Sequence, residues 1–196
     1  MTAKRDNIII EQGATFIKVV NWYGGGKVIR EIDDVTVGCP TRVTVAAHGM
    51  PANYDTPVFI SEVRGARSLN SDGAVLATYV DANNFDVEAH TRDEVYVADT
   101  GCVVYYAPKT LTSWIARMDI RENLDDTTTL VSLTSVGGDI VINTTTAQIT
   151  ITITATVTAA LDFDEGVYDL ELEDDSGNVT RLLYGDVAFN KEVTRV

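Results

Sequence analysis

Gln148-Ile149-Thr150-Ile151-Thr152-Ile153-Thr154 alternates without a break. Side chains of an extended strand point to opposite faces with a period of two. The three isoleucines therefore share one face, and Gln148, Thr150, Thr152 and Thr154 share the other. A helix would scatter the isoleucines around its axis. Isoleucine and threonine are β-branched, which suits a pleated surface. The stretch predicts a strand with an isoleucine face on a core and an uncharged polar face toward water or a partner.

The same period continues on both sides. Downstream, Thr156 to Leu161 is the one helical stretch, with Thr156 or Thr158 as its cap. Val167 to Asp174 reads as a strand with Tyr168, Leu170 and Leu172 inward. Asp175-Ser176-Gly177-Asn178 has hairpin-turn chemistry, and Val179 to Asn190 reads as the last strand. Ser113 to Arg121 puts Trp114, Ala116, Met118 and Ile120 on one face. At the front, Ala14 to Tyr23 has apolar residues on both faces and is expected to be buried on both sides for part of its length. Gly24-Gly25-Gly26 then predicts a tight reversal, with Val28 to Ile32 as the return strand. Lys27 follows the glycines, but the Gly-x-x-x-x-Gly-Lys-[Ser/Thr] spacing of a phosphate loop is absent.

Between Thr41 and Pro108 the texture changes. Strands are short and turn signals recur: Thr41 to Ala46, Pro57 to Val63, Ala74 to Val80, Asn84 to Val87, Val103 to Ala107. Such spacing suits a small barrel or sandwich. The expected fold class is all-β: an immunoglobulin-like β-sandwich with one short helix, formed by residues 1–34 and 110–196, interrupted by a small β-barrel at 35–109. An insertion is tolerated where the ends of the host loop lie close together. Cys39 and Cys102 fall near the ends of the insert, and free thiols are the expectation for a chain folded in a cytoplasm.

The chain has 196 residues, 45% of them hydrophobic, and a formal net charge of −14. That is enough length for a core without staples. The acidity argues against a nucleic-acid partner, which needs clustered Lys and Arg. The N-terminal residues carry no signal-peptide pattern, and no stretch has the length of an apolar membrane span. Catalytic patterns are missing. His48 fits a turn and His90 a polar run, with no zinc-binding spacing between them. No Gly-x-Ser-x-Gly elbow occurs. Asp33-Asp34, Asp125-Asp126, Asp174-Asp175 and the group Asp162, Asp164, Glu165 all fall at turns. Such loops can offer oxygens to calcium, but Asp is a favoured turn residue in its own right. The expectation is a non-enzymatic protein without metal or cofactor. Tyrosines leave a carbohydrate-stacking option. Tyr105 and Tyr106 are adjacent in a strand, so they face opposite ways and one can lie outside.

Two parts of the chain resemble modules of tailed-bacteriophage virion proteins. Ile8-Ile9-Ile10-Glu11-Gln12-Gly13-Ala14-Thr15-Phe16, Trp22 and Trp114-Ile115-Ala116-Arg117-Met118-Asp119-Ile120-Arg121 are similar to the N-terminal β-sandwich of phage baseplate upper proteins. So are the Ile/Thr strand, Thr158-Ala159-Ala160-Leu161, Gly166 to Leu172 and Val179 to Gly185. The block between resembles the small barrel called FCCH-like, through Val43 to Gly49, Val58 to Gly65, Leu69-Asn70 and Val80 to Val87. The resemblance implies a structural protein of the virion, made in the host cytoplasm. It would sit at the tail or neck as an adaptor or fibre-attachment component. Its partners would be other phage structural proteins and copies of itself in a homo-oligomer, with neither nucleic acid nor membrane. The alternatives are a capsid decoration or cementing protein and a host-glycan-binding module of the tail. The candidate interface residues are Gln148, Thr150, Thr152 and Thr154, with Tyr105 and Tyr106.

Overall fold

Alternating burial runs through most of the chain, so strands dominate the computed structural model, which describes residues 3–193. In chain order the strands are β1 (Lys4–Arg5), β2 (Ile8–Glu11), β3 (Phe16–Asn21), β4 (Lys27–Glu31), β5 (Asp34–Thr36), β6 (Thr41–Thr44), β7 (Thr56–Ser61), β8 (Val75–Asp81), β9 (Asn84–Val87) and β10 (Cys102–Tyr106). Then follow β11 (Ile115–Arg121), β12 (Val131–Thr134), β13 (Ile140–Asn143), β14 (Gln148–Ile153), the helix α1 (Ala155–Ala160), β15 (Glu165–Glu173) and β16 (Val179–Asn190). The all-β class is as expected. The chain divides into two compact units, Met1–Asn21 with Leu111–Val196, and Trp22–Thr110.

The first unit holds two sheets. One runs β1-β16-β15-β11-β12, with β2 also paired to β16. The β15–β16 hairpin turns where expected. One Asp174 carboxylate oxygen accepts the N–H groups of Ser176 and Asn178, each at 2.9 Å, and Gly177 takes φ +79°. Further along, the register slips after Leu170, and Leu182 and Leu183 are both buried. An extra residue in one strand produces that local break in alternation. The other sheet runs β13-β14-β3. Ile149, Ile151 and Ile153 are at most 1% exposed. Full burial of such a side chain contributes about 1.5–3 kcal/mol, which anchors β14 as the central strand.

Two expectations change here. The helix begins one residue earlier than expected and is capped by Thr154, whose Oγ1 accepts the Val157 N–H at 3.4 Å. Neither Thr156 nor Thr158 is the cap. The Thr158 hydroxyl is buried and donates to the Ala14 carbonyl at 2.8 Å. Second, β3 is not buried on both faces: Ile17 is 61% and Val19 52% exposed.

The second unit is a seven-stranded sheet in the order β4-β10-β7-β8-β9-β6-β5. Its end strands, β4 and β5, are consecutive in the chain. Between them Ile32 N–H bonds the Gly101 carbonyl and Asp33 N–H bonds the Thr44 carbonyl. The sheet therefore coils back toward its own start around one core, which includes Val43, Val58, Ile60, Leu69, Phe85, Val103 and Tyr105. The hairpin expected across Gly24–Gly26 does not form. β4 pairs with β10, and β3 pairs with β14. The glycine run serves a close approach instead: a Cβ on Gly25 would lie 2.6 Å from the carbonyl oxygens of Ala107 and Pro108.

Candidate interaction surfaces

Several of the polar side chains singled out for chemistry are occupied with the fold. His48 is buried; its Nδ1 accepts the Met50 N–H at 3.0 Å and its Nε2 lies 2.7 Å from the Asp81 carbonyl. Asp162 and Asp164 share the Lys191 ammonium at 2.9 and 3.1 Å, and that ammonium holds the Asp162 carboxyl below its ordinary value. Cys39 and Cys102 are free thiols. Among the described residues no group of His, Cys, Asp and Glu is arranged to hold a metal ion. No described helix is long and apolar enough to cross a membrane.

The outer faces of the sheets differ sharply. Directly paired residues on neighbouring strands share a face. In the three-stranded sheet Thr150 lies between Val141 and Val19, Thr152 opposite Ile17, and Gln148 between Asn143 and Asn21. Gln148 Nε2 donates to Asn21 Oδ1 at 3.1 Å. Ile17, Val19 and Val141 are each more than half exposed. None of the paired strand residues on this face carries a charge. The one charge on β3, Lys18, points to the other side and pairs with Asp6 at 2.8 Å. The structure thus brings Gln148, Thr150 and Thr152 together with Val141 and with Ile17 and Val19, which lie in the stretch expected to be buried on both sides. Thr154 leaves the row, because it caps α1.

The six-stranded sheet shows the contrasting solution. Its outer face is laced with ion pairs: Arg117 to Glu171 and Glu173, Arg121 to Asp119, Arg181 to Asp169, and Arg5 to Asp186. Exposed pairs of this kind contribute little stability, roughly 0–1 kcal/mol each. They do saturate the face with charge that water solvates well.

A second surface with exposed apolar side chains lies on the seven-stranded sheet, flanked on β4 by Lys27 and Glu31. Ile29 on β4 and Phe59 on β7 both sit opposite Val104 on β10, forming one row across three strands. Ile29 is 57% and Phe59 43% exposed. Tyr106 on β10 and Leu76 on β8 are exposed as well. At β6–β9 the same sheet carries a bidentate Arg42–Asp86 pair, at 2.8 and 3.0 Å.

Tyr105 and Tyr106 do face opposite ways. Tyr105 is 1% exposed, and its hydroxyl donates to the His48 carbonyl, so it belongs to the core and not to a surface. Burial raises its hydroxyl pKa. Tyr54 meets Tyr23 edge-on at 5.8 Å, and burial, with Tyr23 beside it, pushes its hydroxyl up to about 12. Sequence reasoning missed the row through Ile29, Val104 and Phe59. Phe59 was legible as opposite to Val58 and Ile60, but only the pairing of β4 with β10 assembles the row. No known protein-family model matches the chain, and no curated protein sequence matches it significantly.

Proposed function

We propose that this is a non-enzymatic structural protein of a tailed-phage virion, in the tail or neck region, joining other particle components and copies of itself. The observation that carries the reading is the outer face of β13-β14-β3. Three large apolar side chains are more than half exposed there, beside Thr150 and Thr152, on a chain of net charge −14. An exposed apolar patch marks an interaction site more readily than scattered surface residues do. The ion-paired outer face of β1-β16-β15-β11-β12 indicates how this chain finishes a sheet meant for water.

In this reading the first unit is an immunoglobulin-like sandwich and the second an FCCH-like barrel, both acting as rigid spacers. Weak contacts per copy are multiplied by cyclic symmetry. The Thr150→Lys/Thr152→Lys double variant tests it. Both side chains lie on the outer face, so the variant folds with an unchanged urea transition. It is then expected to be lost from purified particles. Normal incorporation would remove this face from the interface. A particle reconstruction with copies on every capsomer would move the protein from tail or neck to capsid decoration.

A further inference from the structure

The edge strand β4 reads Lys27-Val28-Ile29-Arg30-Glu31. Its partner on one side is β10, with Val28 opposite Tyr105 and Arg30 opposite Val103. At the two ends of this ladder, the Ile32 N–H bonds the Gly101 carbonyl and the Ala107 N–H bonds the Gly26 carbonyl. In an antiparallel ladder the residues that exchange backbone bonds alternate with those that do not. The even-numbered residues of β4 therefore direct their backbone groups at β10. Lys27, Ile29 and Glu31 direct theirs at the open edge of the sheet. β4 is terminal in the strand order, and all three of these residues are exposed. Among the described residues neither Lys27 nor Glu31 has an ion-pair partner.

The geometry points to a second copy of this chain as the occupant of that edge, paired antiparallel across a two-fold axis at Ile29. The sequence is self-complementary about this position. Ile29 meets Ile29 of the partner, and Lys27 meets Glu31 of the partner, twice over by symmetry. These are the three residues whose backbone groups face the edge, so the central and flanking pairs are all hydrogen-bonded pairs. The apolar row Phe59–Val104–Ile29 then continues into the same row of the second copy. Arg30 lies opposite Val28 of the partner, where its aliphatic stem can cover the valine.

The order of charges along the edge, not the net charge, selects this occupant. A basic partner would gain most on the acidic surface of a chain of charge −14. A like-charged copy gains from an edge where its opposite charges are pre-registered about an apolar centre. Isolated edge lysines protect sheets from such pairing. Here, however, a glutamate stands at the mirror position and turns protection into specificity. The inference concerns a different strand from the face proposed above, and the purified full-length protein tests it without a virion.

Sedimentation equilibrium of the wild-type chain, from micromolar to near-millimolar concentration at physiological salt, should show a reversible monomer–dimer equilibrium. Lys27→Glu alone, or Glu31→Lys alone, opposes like charges at both symmetry-related pairs. Each should weaken dimerisation by about ten-fold or more, since opposed like charges on neighbouring strands are repulsive. A one-to-one mixture of the two variants restores both attractive pairs and should dimerise like wild type. So should the Lys27→Glu/Glu31→Lys double variant. Lys27 and Glu31 are both surface groups, so equal urea transitions confirm intact folding. A wild type that stays monomeric over the whole range overturns the inference. So do single variants that associate as tightly as wild type, or a mixture that stays monomeric.

Discussion

His48 spends both ring nitrogens on its own neighbourhood. Nδ1 accepts the Met50 N–H, which leaves Nε2 to carry the proton and donate it to the Asp81 carbonyl. The ring also meets Tyr79 and Phe85 edge-on at 5.6 and 5.8 Å, and the His48 carbonyl takes the Tyr105 hydroxyl. One residue thus ties the 47–50 turn to β8, β9 and β10. Its place in a turn was legible from the neighbouring Gly49. Its burial was not, because nothing local announces that a turn histidine is covered by aromatics from strands about 30–60 residues away. His48→Phe keeps the aromatic volume and leaves the Met50 N–H and the Asp81 carbonyl without their partner. Stranding buried or half-buried polar groups costs about 1–3 kcal/mol each. The variant is therefore expected to lose about 2–4 kcal/mol in urea unfolding at unchanged m-value. A loss below about 1 kcal/mol would mean that those two bonds are easily replaced.

Element by element, the sequence reports faces better than partners. The Ile/Thr alternation of β14 specified which side is buried, because a period of two leaves no other choice once one face is all isoleucine. The mate of β3 was a different matter. A glycine triplet invites the neighbouring strand, yet β3 pairs with a strand some 127 residues later, as the Gln148–Asn21 bond records. Turn chemistry is local and strand pairing is not, so β4 was assigned to the wrong sheet and the row Ile29–Val104–Phe59 stayed hidden. The exposed Ile17 and Val19 looked like core for a related reason: an apolar interface face and an apolar core face have the same pattern. The β14–α1 junction adds a test at this scale. Thr154 ends one element and starts the next, and α1 has only six residues to hold its first turn. Thr154→Ala should cost about 1 kcal/mol, within the usual 0.5–2 for a lost N-cap. Amides of α1 should exchange faster with deuterium while those of β14 keep their protection. Equal loss in both elements would show that the threonine supports the strand and not the cap.

For the whole molecule, the decisive contact is the one that closes the second unit. The Trp22 carbonyl accepts the Lys109 N–H at 2.9 Å, and the Gly25 N–H bonds the Ala107 carbonyl at 3.0 Å. Chain entry and chain exit of this unit are thus neighbours, as a tolerated insertion requires. The change of strand texture suggested an insert at 35–109, and the second compact unit spans Trp22–Thr110. β4 reads like a continuation of the first strands, and only its pairing with β10 places it in the second unit. Two deletions separate these boundaries. Replacing Trp22–Thr110 by a Gly/Ser linker of about four residues removes a complete sheet with its own core. The linker spans what one hydrogen bond spans now, and closing so short a loop costs little. The remaining chain should unfold cooperatively in urea with the circular dichroism of a β-protein. Excising only 39–102 should fail, because it removes β6 to β9, so β10 loses β7, β5 loses β6, and Ile32 and Val35 lose most of the core that buries them. That remnant is expected to aggregate or to bind a hydrophobic dye without a cooperative transition. If the shorter deletion folds as well as the longer one, the second unit does not begin at Trp22, and β4 and β10 hold their place without the rest of their sheet.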